Sequence, residues 1–284
     1  MSVDTHRIAL ITDSTADIPP ELLERYGILV LPLYVLWGEE TYRDGVDISK
    51  AAFYERIARE TEPPKTSQPT PMDFVRLIRA CHCQEALIIP LSGALSGTVN
   101  AAMQAAQMVD IPVHVEDSRA ISMALGWQVL AAARAREAGG GLEDMVAAAR
   151  AARAAQRALF TVDTLEYLHR GGRIGGAAAF LGTVLQLKPV LRMDTTTGRV
   201  EAVERCRTRR KALKRICEIA FEGLDDSRPI RVAVLHAAAP DDMQILLDHV
   251  LARCTPTEWY TGDLTTVIGT HGGPGLVGMC LYSD

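Results

Sequence analysis

Short apolar runs alternate with longer segments of helical periodicity through the first half of the chain. The runs of strand length are 7–12, 29–37, 86–90 and 112–116. The segments with helix-starting residues and helical spacing are 19–26, 49–60, 98–108, 120–138, 142–158 and one that opens at Thr70-Pro71-Met72-Asp73. Pro71 suits the first helical position of the last of these. This alternation predicts a parallel sheet covered by helices on both faces, with ligands at the carboxyl ends of its strands.

The second half of the chain follows a less regular pattern, which predicts an α+β domain with a mixed sheet. The predicted strands are 159–162, 188–193, 200–205, 230–236, 265–269 and 277–282, and the predicted helices are 164–170, 182–186, 208–221 and 240–253. A length of 284 residues is natural for two domains. We therefore expect an N-terminal α/β domain at 1–157 and a C-terminal α+β domain at 158–284, with a ligand site between them.

Composition and charge narrow the class of protein. Hydrophobic content of 48% and charged content of 23% are ordinary for a globular protein. A net charge of -5 argues against a general nucleic-acid surface, and the basic run 205–215 is interpreted as a solvated helix face. No apolar stretch approaches the roughly 18 residues of a membrane span, and no secretory leader is expected. Six scattered cysteines favour a reducing, cytoplasmic location.

Two turns rich in glycine and hydroxyl residues carry the candidate chemistry. Residues 91–98 follow the predicted strand at 86–90, and residues 270–275 follow the run 265–268. Such turns bring backbone N–H groups and hydroxyls close to an anion, and the first leads into a predicted helix N-terminus. The sequence has no Gly-x-x-x-x-Gly-Lys-Ser/Thr loop, and no Gly-x-Gly-x-x-Gly motif follows the first predicted strand. The glycine-rich segment 171–176 follows a helix, so ATP binding is not expected. The Cys81-His82-Cys83 cluster and the early aspartates match no metal-ligand spacing.

Three functions remain open from the residues alone. The first is a site for a carboxylate or phosphate that accepts hydrogen bonds from Thr66, Ser96 and His271. The second is a serine hydrolase that uses Ser96 and His271, although no spacing supports a triad. The third is binding of some other small anion. Each of these residues taken singly is explained equally well as a cap or a buried structural residue.

Several polar and glycine-rich stretches form an ordered set along the chain: 12–19, Lys65-Thr66-Ser67-Gln68-Pro69, 91–98, 116–118, Tyr167-Leu168 with 171–174, 188–191, and Thr270-His271 with 273–275. Together they resemble the DegV family of bacterial proteins, which bind a long-chain fatty acid. The resemblance implies a DegV-like fold, with an acyl chain in an apolar interdomain tunnel. The sequence departs from the family pattern at Ala94 and Gly273, and neither residue removes a polar group that the site requires.

The same resemblance implies the roles of individual residues. Thr66 and Ser96 would bind the carboxylate, Ser67, Gly97 and Thr98 would support it, and His271 would approach it, with Ser92 as an additional candidate. It implies a lipid-binding protein with no catalytic residue, metal or cofactor. Some family members are the lipid-binding subunit of a bacterial fatty acid kinase, whose separate subunit supplies the ATP chemistry. Arg173 would then contact that kinase subunit. Candidates for the tunnel wall are Phe160, Phe180, Leu181, Val184, Leu185 and Leu187, which ordinary core packing explains equally well.

Overall fold

Two compact units make up the computed structural model, which describes residues 7–181, 187–225 and 227–283. The first unit comprises Met1–Tyr34, Ser67–Ala154 and Thr195–Gly198, and the second comprises Val35–Thr66, Ala155–Asp194 and Arg199–Asp284. The predicted boundary at 157/158 lies close to the change of unit at Ala154. The predicted first domain differs in that it also contained Val35–Thr66, which the structure groups with the C-terminal half.

The elements follow one another in a largely alternating order. The strands are β1 (Ile8–Asp13), β2 (Ile28–Leu31), β3 (Tyr34–Trp37), β4 (Glu40–Arg43), β5 (Lys65–Ser67), β6 (Glu85–Ile88), β7 (Val113–Val115), β8 (Gln156–Thr161), β9 (Lys188–Asp194), β10 (Arg199–Cys206), β11 (Ile230–His236), β12 (Glu258–Asp263) and β13 (Val277–Ser283). The α-helices are α1 (Pro20–Arg25), α2 (Lys50–Ile57), α3 (Pro71–Ala80), α4 (Thr98–Ala106), α5 (Met123–Glu137), α6 (Leu142–Ala155), α7 (Glu166–Arg170), α8 (Arg209–Phe221), α9 (Pro240–Arg253) and α10 (Thr266–Gly272).

The first unit is built on a parallel sheet with the order β2-β1-β6-β7. Alternation along β1 sends Ile11 into a core shared with Phe74 of α3 and Ala102 of α4. Its neighbour Leu10 is fully buried on the other face, where α5 lies against the strand. Helix α3 begins as predicted, with Pro71 in its first turn and a capping box between Thr70 and Asp73. The predicted parallel α/β architecture is confirmed.

The second unit contains a mixed sheet with the order β10-β9-β8-β13-β11-β12. Only the β11–β12 pairing is parallel among the described pairings of this sheet. Helices α8 and α9 bury residues such as Leu213, Ile216 and Leu246 against Val232 and Met279 of the sheet. The predicted mixed sheet and the predicted β9–β10 pair are confirmed.

Several local predictions were incomplete. The run 29–37 forms two strands rather than one, because Pro32 has no N–H group to donate to a sheet ladder. Strands β4, β5 and β12 were missed because they are short or alternate polar with partly buried residues. The predicted helix at 182–186, with Val184 and Leu185 of the expected tunnel wall, lies outside the described residues. No helix in the described ranges is both long and apolar enough to cross a bilayer.

The segment 265–269 forms the start of helix α10, and the predicted strand there is wrong. Its β-branched residues favour a strand, but a distant carboxylate caps the helix instead. Asp44 Oδ1 accepts hydrogen bonds from the Thr266 N–H at 3.0 Å and from the Thr266 hydroxyl at 2.6 Å. Asp44 is 2% exposed, so its carboxylate satisfies two donors in a buried setting.

Helix α2 packs directly on α10, which explains why Val35–Thr66 belongs to the second unit. A side-chain carbon on Gly269 would lie 2.7 Å from the Tyr54 hydroxyl and 2.8 Å from the Phe53 ring. The Tyr54 hydroxyl also donates to the Leu264 carbonyl at 3.1 Å. Only glycine at 269 permits this approach of the two helices.

We expect Asp44→Ala to lower the free energy of unfolding by about 2 kcal/mol, because it removes a helix cap and leaves buried donors unpaired. Urea unfolding measures the loss. The matched control is Asp47→Ala in the same loop, where the carboxylate is paired with exposed Arg43. This variant should unfold at nearly the wild-type urea concentration. Equal stability of the two variants would contradict the capping role of Asp44.

Candidate functional site

Three polar turns meet at the carboxyl edge of the parallel sheet, where the alternating pattern predicted that ligands bind. The Asp13 carboxylate ends β1 and accepts the Leu91 N–H at 2.7 Å. Asp117, which follows β7, accepts the Gly93 N–H at 3.1 Å. The segment 91–98, here called the serine turn, is therefore held from both sides by neighbouring turns. Both carboxylates are used to shape the backbone.

The two serines of the serine turn have different surroundings. Ser92 is fully buried, and its hydroxyl donates to the Gly198 carbonyl at 2.7 Å and accepts the Ala94 N–H at 3.2 Å. Ser96 is partly exposed, and its hydroxyl lies 2.9 Å from the Thr98 hydroxyl. Because the Ser92 proton already has a partner, Ser96 is the serine better suited to contact a ligand.

The serine turn leads into α4 at its N-terminus. Gly97 is the N-cap residue and supplies no side-chain cap. A side-chain carbon at this position would lie 2.3 Å from the Gln68 amide oxygen, so the Gln68 side chain lies against Gly97. Ser67 is exposed and donates to the Gln68 carbonyl at 3.3 Å. Ser67, Gly97 and Thr98 thus lie in one region of the first unit with Ser96. Gln68, for which the sequence predicted no role of its own, also lies in this region.

His271 lies in the last turn of α10 rather than in a turn behind a strand. Its Nε2 atom is 2.8 Å from the Thr66 hydroxyl, and both residues belong to the second unit. Strand β5 places Thr66, and the cap of α10 by Asp44 places His271. The structure therefore brings together two of the predicted carboxylate-binding residues that are 205 positions apart in sequence.

The other edge of the imidazole is packed against the loop after α7. A side-chain carbon on Gly171 would lie 2.3 Å from His271 Nδ1, and one on Gly273 would lie 2.3 Å from the Tyr167 ring. The Nδ1 atom is buried and has no hydrogen-bond partner among the residues that the structure describes. The sequence identified 171–176 as a loop, but periodicity and spacing gave no signal that Gly171 faces His271.

Burial lowers the pKa of His271, and the positive charge of Arg173 lowers it further, to about 4. A helix C-terminus stabilises a cation by about 0.3–1 kcal/mol. The fall in pKa from 6.5 to about 4 corresponds to about 3 kcal/mol, so burial outweighs the helix dipole. The imidazole is neutral at neutral pH and offers a hydrogen bond rather than a positive charge.

Arg173 lies in the same loop and is partly buried. Its guanidinium donates to the Gly171 carbonyl at 2.6 Å, which closes the loop on itself. Arg173 is thus the cationic group whose charge acts on His271.

The contacts of Ser96 and His271 give no support to the hydrolase alternative. Ser96 shares its hydrogen bond with Thr98, and His271 shares its hydrogen bond with Thr66. A nucleophile needs a base in contact with it and a third group that orients that base. The group that orients the base would bind His271 Nδ1, and this atom has no hydrogen-bond partner in the described part of the chain.

No group of three or more His, Cys, Asp or Glu residues that could hold a metal occurs within 7–181, 187–225 and 227–283. Three aspartates of the first 50 residues have other partners: Asp44 caps α10, Asp47 pairs with Arg43, and Asp17 accepts the Ser122 hydroxyl.

The model of the DegV family matches residues 7–284 of this chain. The chain belongs to the DegV family. A DegV domain-containing protein of Streptomyces coelicolor is 39% identical over 283 residues, which are 98% of this chain and 99% of that protein.

Solved structures of DegV proteins share the whole fold. The fatty-acid-binding DegV family protein of Thermus thermophilus superimposes with a TM-score of 0.92 at 41% identity, over 98% of this chain and 100% of that chain. DegV of Bacillus subtilis, a fatty acid binding protein, superimposes with a TM-score of 0.90 at 36% identity, over 98% of this chain and 99% of that chain. The DegV architecture is therefore common to all three proteins.

We expect His271 of this DegV chain to titrate near pH 4 rather than near 6.5, as followed by NMR of the ring protons. Because the folded-state pKa lies below the unfolded value, the unfolded chain binds more protons between the two. The stability that His271 contributes is therefore complete above about pH 6.5 and is lost as the pH falls toward 4. His271→Gln should lack this component of the pH dependence. Titration of His271 near pH 6.5 in the folded protein would contradict its burial.

Proposed function

We propose that this chain binds a long-chain fatty acid, with the acyl chain in an apolar tunnel and the carboxylate at the Thr66–His271 pair. The observation that carries the proposal is the 2.8 Å contact between the Thr66 hydroxyl and a partly buried, neutral His271. The fatty-acid-binding relatives from Thermus thermophilus and Bacillus subtilis support it.

The chemistry of the pair suits a single carboxylate at the end of an apolar chain. With the ring proton on Nε2, the imidazole donates to the Thr66 oxygen, and the Thr66 hydroxyl then donates to the carboxylate. A hydrogen bond to a charged acceptor is stronger than one between neutral groups. Affinity comes mainly from the acyl chain. Burial of a methylene contributes about 0.8 kcal/mol, so a 16-carbon chain gains roughly 12 kcal/mol before the cost of ordering.

The hydroxyl set of the serine turn is part of the proposal. Ser96 is its main carboxylate contact, with Ser67, Gly97 and Thr98 in support. The pairing of the Ser96 and Thr98 hydroxyls favours this role, since either hydroxyl can rotate its proton toward a ligand. Ser92 is the weaker candidate, because its proton is donated to Gly198.

Delipidated protein should bind oleate at least tenfold more tightly than methyl oleate, because the ester keeps the acyl chain and loses the charged acceptor. Thr66→Val should weaken oleate binding by about tenfold and leave methyl oleate binding nearly unchanged. Isothermal calorimetry in detergent-free buffer measures both. The control is Thr255→Val, at an exposed threonine of the same unit. Equal affinity for acid and ester would contradict the carboxylate site.

The finer part of the proposal is that this chain is the non-catalytic, lipid-binding subunit of a cytoplasmic fatty acid kinase. It would present the bound carboxylate to a separate ATP-binding subunit, which phosphorylates it. The absence of a phosphate-binding loop from the sequence agrees with this division of labour. Arg173 in the loop beside His271 is the proposed contact with the kinase subunit.

The test combines oleate-loaded protein, ATP and the ATP-binding subunit of a bacterial fatty acid kinase, with the acyl phosphate trapped as a hydroxamate. Arg173→Ala should lower hydroxamate formation at least tenfold per bound oleate, because a charged contact with the kinase is lost. Arg228→Ala, at an exposed arginine paired with Asp225, should form hydroxamate at the wild-type rate. No hydroxamate with wild-type protein would overturn the kinase proposal and leave fatty-acid binding standing.

A further inference from the structure

We propose that Gly171 is a positioning residue for the carboxylate site, because its missing side chain creates the space that His271 occupies. This inference rests on the proposed function and extends it to a residue that does not itself contact the ligand. It concerns the loop Gly171-Gly172-Arg173, here called the Gly-Gly-Arg loop.

The steric requirement at Gly171 comes mainly from the imidazole, with the Tyr167 carbonyl oxygen as a more distant neighbour at 3.1 Å. A side-chain carbon there would lie 2.3 Å from His271 Nδ1 and 3.1 Å from its Cε1 atom, closer than a real side-chain carbon approaches another atom. The φ of Gly171 is -74°, which any residue adopts. Glycine is therefore needed at this position for the contact with His271 and not for the backbone conformation.

At the next glycine of the loop, the backbone conformation requires glycine and the surrounding space does not. Gly172 has a φ of +68°, and a side-chain carbon there would meet no atom within 4 Å. Alanine at 172 costs backbone strain of about 1 kcal/mol without touching the site. Alanine at 171 therefore tests steric displacement of His271, and alanine at 172 tests backbone strain in the same loop.

A second contact holds the same end of α10. The Tyr167 ring of α7 lies where a side chain on Gly273 would be, 2.3 Å from the position of its first carbon. Helix α7 and the Gly-Gly-Arg loop therefore pack on both His271 and the residue two positions later. This leaves the imidazole little freedom to rotate or slide.

The packing of Gly171 determines what the imidazole can do. It covers Nδ1, which has no hydrogen-bond partner in the described ranges, so Nε2 is the nitrogen that meets the Thr66 hydroxyl. With the ring proton on Nε2, the imidazole donates to the Thr66 oxygen and leaves the Thr66 proton for a carboxylate. The groups known to act on the ring are the Thr66 hydroxyl from β5 and the charged Arg173 from the loop, while the Tyr167 ring of α7 lies against Gly273. A methyl group at 171 would take the space of Nδ1 and so displace the ring from its contact with Thr66.

The experiment compares Gly171→Ala with Gly172→Ala in the full-length protein. Oleate affinity is measured by calorimetry and the titration of His271 by NMR. Gly171→Ala should weaken oleate binding by about tenfold and move the His271 pKa up toward 6.5, because the displaced ring regains water. Gly172→Ala should change oleate affinity less than threefold and leave the His271 titration unaltered.

Two outcomes would overturn the proposal. One is a folded Gly171→Ala protein with wild-type oleate affinity and wild-type His271 titration, and the other is an equal loss of affinity in both alanine variants. If Gly171→Ala does not fold, nuclear Overhauser contacts in the unmodified protein decide, since Gly171 Hα must lie beside His271 Hε1. Failure of the wild type to bind any fatty acid would instead reject the proposed function, while the His271 titration would still test the packing.

Discussion

Burial of the His271 imidazole, with Nε2 on the Thr66 hydroxyl and Nδ1 against Gly171, is the constraint on which the second unit's candidate site depends. Burial keeps the ring neutral, so its contribution to a ligand is a directed hydrogen bond and not an ion pair. A neutral ring beside a hydroxyl can hold a carboxylate without a strong counter-charge. This suits the proposed function, in which the site holds a carboxylate while the acyl chain supplies most of the affinity.

That burial is itself a product of long-range packing. Asp44 caps α10 across 222 positions, and α2 approaches the helix at Gly269. The C-terminal turn of α10 then meets Tyr167 and the Gly-Gly-Arg loop, which also carries Arg173. The proposed kinase contact and the proposed carboxylate ligand are therefore adjacent within one unit.

The parts of this fold that could be predicted are those set by local pattern. The parallel sheet follows from buried runs such as Ile8–Asp13, and the start of α3 follows from Thr70 and Pro71. The strand predicted at 265–269 was wrong because its capping carboxylate lies in a distant segment. The role of Gly171 could likewise not be predicted, because the imidazole that packs against it belongs to His271, which is distant in sequence. Among the site residues, motif resemblance pointed to Thr66 and His271, and only coordinates could place them in contact.

The central claim is that this chain holds a free long-chain fatty acid, and the most direct measurement is the lipid content of the protein purified from bacteria. Native mass spectrometry, followed by extraction and chromatography, identifies what is bound and in what ratio. The account predicts one unesterified long-chain fatty acid per chain, reduced in occupancy by His271→Gln. A lipid-free protein that takes up no added oleate or stearate, or a bound lipid with no free carboxylate, would contradict it.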